Sequence, residues 1–82
     1  MKIVLKKQPQ KYLASVPTSV RKKLEKGIEQ IMNNEGDIVR LKGYNCRYRY
    51  KIAHYRIIFD RLEDGEILII VIEINTRTNI SY

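Results

Sequence analysis

The chain has 82 residues, a formal net charge of +7 at pH 7, and 44% hydrophobic residues. That length fits one domain, residues 1–82, and the hydrophobic fraction argues against a disordered chain. The single cysteine, Cys46, and the single histidine, His54, exclude an internal disulfide and the common zinc sites, so we expect neither a metal ion nor a cofactor. The positive charge favours an anionic partner, with nucleic acid ahead of an acidic protein and a membrane surface.

The N-terminal residues 2–6 predict a first β-strand, in which Ile3 and Leu5 share one face, Val4 sits between them and lysines flank them. The apolar run around them is too short for a signal peptide or a membrane span. We therefore expect a cytoplasmic protein with no membrane partner.

Two helices are predicted next. Pro9 suits the first turn of a short helix, and Pro17 closes it because proline disfavours helical geometry in the preceding residue. Residues 18–33 form the clearest helix, since their apolar residues recur three and four apart and stack on one face. These apolar residues are Val20, Leu24, Ile28, Ile31 and Met32. The turn-forming residues 33–37 end this helix, and Ile38, Val39 and Leu41 are expected to lie in a connecting segment that ends at Gly43.

The remainder predicts three strands at residues 44–52, 55–62 and 67–74. Ala53-His54 is short enough for a hairpin turn, and Asp64-Gly65 is a strong hairpin signal. Residues 67–74 are apolar on both faces over most of their length, which favours a central strand covered on both sides. The expected fold is α+β with the order β-α-α-β-β-β. Two helices pack on a twisted, mainly antiparallel sheet of about four strands.

The predicted strand at residues 44–52 has aromatic and apolar side chains on one face and cationic side chains on the other. Tyr48, Tyr50 and Ile52 are expected to face the core, whereas Arg47, Arg49 and Lys51 share the other face, because successive strand residues point to opposite sides. Neighbouring cations repel each other, and an anion bound among them would relieve that repulsion. Lysine and arginine on an edge strand also prevent edge-to-edge aggregation, and the pattern alone does not separate the two interpretations.

The hairpin over residues 47–59 resembles the second-to-third-strand hairpin of the RelE/ParE toxin superfamily. It has a basic strand, a short turn and an aromatic-Arg-apolar-apolar-aromatic segment that begins at Tyr55. Leu41-Lys42-Gly43 is similar to the Leu-x-Gly that leads into this hairpin in the family. Residues 74–82 are similar to its Arg-containing segment with a terminal aromatic. The likeness covers essentially the whole chain, including the order of the predicted elements.

The resemblance implies the toxin of a type II toxin–antitoxin module, a metal-independent endoribonuclease that cleaves messenger RNA on the ribosome. It also implies a cognate antitoxin that holds the toxin inactive, in a toxin–antitoxin hetero-oligomer. The reaction that the resemblance implies is attack of an RNA 2′-hydroxyl on the adjacent phosphate. The positions that match the catalytic residues of the family, or continue their row, are Arg56, Arg77, Lys51 and Tyr82. The residues expected to bind RNA are Arg47, Arg49 and His54.

The general base and the target remain open at this point. Arginine replaces lysine at two strand positions of the best-known RNA-cleaving relatives, and arginine does not release its proton. Lys51 and His54 are the candidates, with His54 alternatively a plain turn residue. The alternatives to RNA cleavage are ParE-like, non-hydrolytic inhibition of DNA gyrase and an inactive member that only binds its antitoxin.

Overall fold

A computed structural model describes residues 1–82 and contains two helices and five strands. The helices are α1 (Lys7–Ser15) and α2 (Thr18–Met32). The strands are β1 (Lys2–Leu5), β2 (Asp37–Arg40), β3 (Arg47–Ile52), β4 (Tyr55–Asp64) and β5 (Glu66–Thr76). The α+β class and the positions of both helices are confirmed. Neither helix is long and apolar enough to cross a membrane.

The five strands form one sheet in the order β1-β5-β4-β3-β2. All neighbouring pairs are antiparallel except β1 and β5, which run parallel. The predicted central placement of residues 67–74 is confirmed in one respect, since β5 is paired along both edges. Its second face has no helix packed on it, because both helices contribute to a single core on the opposite side. Leu68 and Ile70 on that second face are half-buried.

A β-bulge explains why the core positions of β5 do not alternate strictly along the strand. Ile58 pairs with Glu73, and the next residue of β4, Phe59, pairs with Val71, so Ile72 is an extra residue in β5. The bulge changes the phase of the strand, and both Val71 and Ile74 therefore lie in the core.

The segment after α2 is predicted to be a connection without a strand, and that prediction is wrong for its first residues. Asp37–Arg40 forms the edge strand β2, antiparallel to β3, which makes the sheet five-stranded rather than about four-stranded. Four residues are too few to show a strand period, and the pairing with β3 decides their conformation. Ile38 lies opposite Tyr50 and packs against the core. The following strand begins at Arg47 rather than at residue 44.

The core lies between the sheet and the helices, and Tyr50 shows how closely α2 approaches it. Tyr50 is 1% exposed, its hydroxyl hydrogen-bonds Gln30, and burial raises the pKa of its phenol. A Cβ atom at Gly27 would lie 2.8 Å from Cε2 of the Tyr50 ring. A helix glycine usually costs stability relative to alanine, and here it leaves room for the tyrosine ring.

Candidate nucleic-acid interface

The sheet face opposite the helices, called the open face below, carries the predicted cationic residues. Tyr48, Tyr50 and Ile52 pack on the helix side. Arg47, Arg49 and Lys51 alternate with them along β3 and therefore lie on the open face, as the sequence predicts. Across β4 the open face continues through the residues that pair with this row, namely Asp60, Ile58 and Arg56.

Carboxylates already face two of the three cations of β3. Nε and Nη2 of Arg47 donate to Oδ1 and Oδ2 of Asp60 over 2.8 and 3.1 Å. These hydrogen bonds raise the pKa of Arg47 above its ordinary value. Nη1 of Arg49 lies 3.7 Å from Oδ1 of Asp37, at the outer limit of an ion pair. Asp60 and Asp37 therefore relieve part of the repulsion among the β3 cations, a role that the sequence suggested for a bound anion. Because both oxygens of Asp60 accept from it, Arg47 is the least available of the predicted RNA-binding residues.

Three other cations have no such partner, and they gather at the β3–β4 turn. Lys51 lies directly opposite Arg56, and Arg56 lies opposite Asn75 on β5. The backbone N–H of Arg77 donates to the carbonyl oxygen of His54 over 2.8 Å, which ties the end of β5 to the same turn. No carboxylate oxygen lies within 4.0 Å of a side-chain nitrogen of Lys51, Arg56 or Arg77. These three residues are called the cation cluster below.

The guanidinium of Arg56 is held by its own hairpin. Nη1 donates to the carbonyl oxygens of Ala53 and Tyr55 over 3.2 and 2.9 Å. The remaining N–H groups of Arg56 have no acceptor within the chain. Ala53 adopts a φ of 53°, a left-handed conformation that closes the two-residue turn. The fork is therefore oriented before any ligand arrives, and an anion can accept from its free side.

His54 occupies the turn with an exposed side chain. Its ring centroid lies 4.3 Å from that of Tyr55, in a tilted arrangement. No carboxylate pairs with the imidazole. The histidine is therefore beside the cation cluster, with no second group that orients its ring nitrogens.

The C-terminal segment folds back toward the open face. The Ser81 N–H faces the Glu73 carboxylate, at 3.3 Å from Oε1 and 3.1 Å from Oε2. Tyr82 follows directly and is 65% exposed. Glu73 is not among the site residues predicted from the sequence, although a single acidic residue inside the apolar run of β5 is a visible signal.

A half-open cavity of about 510 Å³ lies on the helix side of the sheet, near the end of α2. Its lining includes Tyr48, Phe59 and Arg61 and none of the predicted site residues. Nε of Arg61 donates to Glu63 over 3.0 Å, whereas Nη1 is buried without a hydrogen-bond partner. This cavity is separate from the cation cluster, because residues 59 and 61 point to the other side of β4 from Arg56.

The geometry of the open face suits a phosphodiester backbone. The cation cluster offers two guanidinium forks and an ammonium, and Arg49 extends it along β3. No cluster of three or more His, Cys, Asp or Glu residues forms a potential metal site. Positioned cations of this kind stabilise negative charge that develops on phosphoryl oxygens.

No family model matches the chain. The chain is 35% identical over 63 residues to Toxin RelE3 of Methanocaldococcus jannaschii, a match that spans 70% of this chain and 72% of that protein. The fold of this chain is similar to that of a chain in the crystal structure of a RelB-RelE antitoxin-toxin complex from Methanococcus jannaschii. That match has a TM-score of 0.67 and 26% identity, and covers 92% of this chain and 91% of the other. A chain in the archaeal RelE-RelB complex from Pyrococcus horikoshii OT3 has the same fold, with a TM-score of 0.73, 21% identity, and coverage of 96% and 97%.

Proposed function

This chain belongs to the RelE toxin family, and we propose that it is a toxin that cleaves messenger RNA on the ribosome. The observation that carries the proposal is the cation cluster of Lys51, Arg56 and Arg77, which has no carboxylate within ion-pair distance. Two like charges placed directly opposite each other destabilise a sheet. Such an arrangement is useful when a polyanion supplies the missing negative charge.

The reaction is an internal displacement at phosphorus. The RNA 2′-oxygen bonds to the adjacent phosphorus and its proton passes to a general base. The bond from phosphorus to the 5′-oxygen breaks, and that oxygen takes up a proton from a general acid. The products are a 2′,3′-cyclic phosphate and a 5′-hydroxyl, so neither water nor a metal ion enters the bond changes. Arg56 and Arg77 neutralise the charge that develops on the phosphoryl oxygens. Lys51 and His54 are the two candidates for the proton transfers.

The surrounding residues bind and orient the message. Tyr82, which is 65% exposed, stacks on a base, because exposed aromatic rings are a common platform for single-stranded RNA. Arg49 contacts the phosphate backbone, and Arg47 contributes less because Asp60 already occupies its fork.

The partner of the toxin is an antitoxin. Two proteins with this fold occur in RelB-RelE antitoxin-toxin complexes. We infer that a cognate antitoxin with an acidic or amphipathic segment binds this chain in a hetero-oligomer and covers its cationic surface, since the chain carries a net charge of +7.

A second candidate is non-hydrolytic inhibition of DNA gyrase. The observation in its favour is that both arginines of β3 face carboxylates, which lowers the number of free cations for RNA. The cation cluster favours cleavage over this alternative.

The test is to add the purified protein to ribosomes carrying a defined message and to map new 5′ ends. Cleavage that requires ribosomes and persists in excess EDTA supports the proposal. If the folded protein leaves the message intact and instead stalls purified gyrase, the binding function replaces it.

A further inference from the structure

Glu73 lies on the open face, on a stretch of β5 that is paired with β4. It lies opposite Ile58 on β4, and Ile58 lies opposite Arg49 on β3. No lysine or arginine side-chain nitrogen lies within 4.0 Å of its carboxylate. A carboxylate at this position would weaken phosphate binding if charge were its only contribution. Its hydrogen bond identifies a different role.

That role concerns the chain beyond β5. The N–H groups of Asn79 and Ile80 both donate to the carbonyl oxygen of Thr76, over 3.1 and 3.0 Å, and this turn reverses the direction of the chain. The Ser81 N–H then faces both oxygens of Glu73. The register of β1 with β5 ends at Val71, so β1 does not reach the stretch that bears Glu73.

Tyr82 is the next residue after this hydrogen bond, and its ring is 65% exposed. A residue beyond the last strand that has no anchor samples many backbone conformations, and binding RNA would have to restrict them. The Glu73 hydrogen bond restricts the backbone next to Tyr82 in advance while the ring stays accessible. A hydrogen bond to an ionised acceptor is stronger than one between neutral groups, which makes a carboxylate effective here.

We propose that Glu73 is a positioning residue that holds the Ser81 N–H and thereby places Tyr82 for the RNA bound at the cation cluster. The inference rests on the proposed RNA cleavage. It assigns no proton transfer to Glu73 and no contact between Glu73 and the message.

Kinetic measurements on ribosome-bound message test this role. Glu73→Ala should lower kcat on the order of tenfold to a hundredfold, because misplacing bound substrate by about 1 Å has effects of that size. Glu73→Gln should stay within about threefold of the parent, since the amide oxygen accepts the same N–H. Glu66→Ala is the matched control. It removes the other glutamate of β5, whose side chain is 73% exposed and 3.5 Å from the N-terminal amine, and it should have no effect.

Two further variants test whether the loss of activity in Glu73→Ala acts through Ser81 and Tyr82. In a Tyr82→Ala background, Glu73→Ala should cause no additional loss, because the ring to be positioned is already absent. Ser81→Pro removes the N–H donor while leaving Glu73 in place, and it should reproduce the loss caused by Glu73→Ala.

A measurement that does not depend on activity is the ¹⁵N relaxation and hydrogen exchange of the Ser81 amide. Both should report an ordered amide in the parent and in Glu73→Gln, and a mobile one in Glu73→Ala. If Glu73→Gln is as slow as Glu73→Ala while its Ser81 amide remains ordered, the carboxylate acts through charge or proton transfer and the inference is overturned. Full activity of Glu73→Ala also overturns it. A parent that never cleaves on ribosomes instead removes the proposed function, and this role with it.

Discussion

Lys51 and Arg56 lie directly opposite each other on β3 and β4, and neither has a carboxylate within 4.0 Å. Arg47 and Asp60, at the other end of the pairing between these two strands, form a bidentate ion pair. The two strands therefore carry a neutralised end and a positive end. The positive end is the one beside the turn, to which Arg77 is also tied.

Arg56→Ala should reduce cleavage of ribosome-bound message by on the order of a hundredfold or more, because one transition-state contact is lost. The fold should persist, since a partly exposed arginine without an ion pair contributes little stability. Initial rates and thermal melts check both statements. Arg40→Ala is the matched control and should leave the cleavage rate unchanged. Arg40 is an exposed strand arginine with no ion pair, and it lies opposite Tyr48, on the side of the sheet away from the cation cluster. Equal rates for Arg56→Ala and the parent would place the active site elsewhere.

Asp60→Asn should strengthen RNA binding by releasing Arg47 from its bidentate pair. The freed guanidinium can contact one more phosphate, so the slope of log affinity against log salt should steepen by about 0.7, the value for one contact to single-stranded nucleic acid. Titrations at several salt concentrations measure the slope. In an Arg47→Ala background the same substitution should lose this effect, and an unchanged slope in the parent background would show that Arg47 stays away from RNA.

His54→Gly should leave the cleavage rate within about threefold of the parent if His54 acts only as a turn residue, because glycine is readily accommodated in a hairpin turn. Lys51→Ala should then cause the larger loss. A loss on the order of a hundredfold or more in His54→Gly, with a normal thermal melt, would assign proton transfer to the imidazole instead. Lys22→Ala, on the exposed side of α2, controls for the lost charge of Lys51.

Gln8→Ala should lower the free energy of unfolding by about 1–3 kcal/mol, because it leaves backbone groups unpaired. Nε2 of Gln8 donates to the carbonyl oxygen of Ile74 over 2.7 Å, and Oε1 accepts from the Ile74 N–H over 2.9 Å. Gln10→Ala removes a single exposed bond to Leu5 and should cost less than about 1 kcal/mol. Urea denaturation compares the two variants, and equal losses would contradict the special role of Gln8.

The sequence predicts what depends on local pattern. The period of α2, the alternation that separates Tyr50 from Arg49, and the turn at His54 are all visible in short windows, and the structure confirms them. The strand β2 was missed because its pairing with β3 comes from tertiary structure rather than from its own four residues. The bulge at Ile72 was equally invisible, since only the register against β4 reveals it.

For the candidate site, the sequence predicts which side chains share a face of β3 but not which of them pair with carboxylates. The residue types of β3 place three cations on one face, but the sequence does not say which cations meet a carboxylate. Asp60 is 13 residues from Arg47 and pairs with it only because β3 and β4 are in that register. The hydrogen bond between Ser81 and Glu73 likewise depends on a reversal of the chain after Thr76, which no pattern in the sequence indicates.

The parallel pairing of β1 with β5 has a consequence for synthesis of the protein. Ile3 lies opposite Ile69, so the first strand to be translated waits for the last one before it can enter the sheet. Contacts this far apart in sequence form late, because closing a long loop costs entropy before any contact repays it. The core also lacks Ile69, Val71 and Ile74 until β5 has emerged. The complete sheet, with the end of β5 that ties Arg77 to the turn at His54, therefore forms only after β5 has emerged from the ribosome.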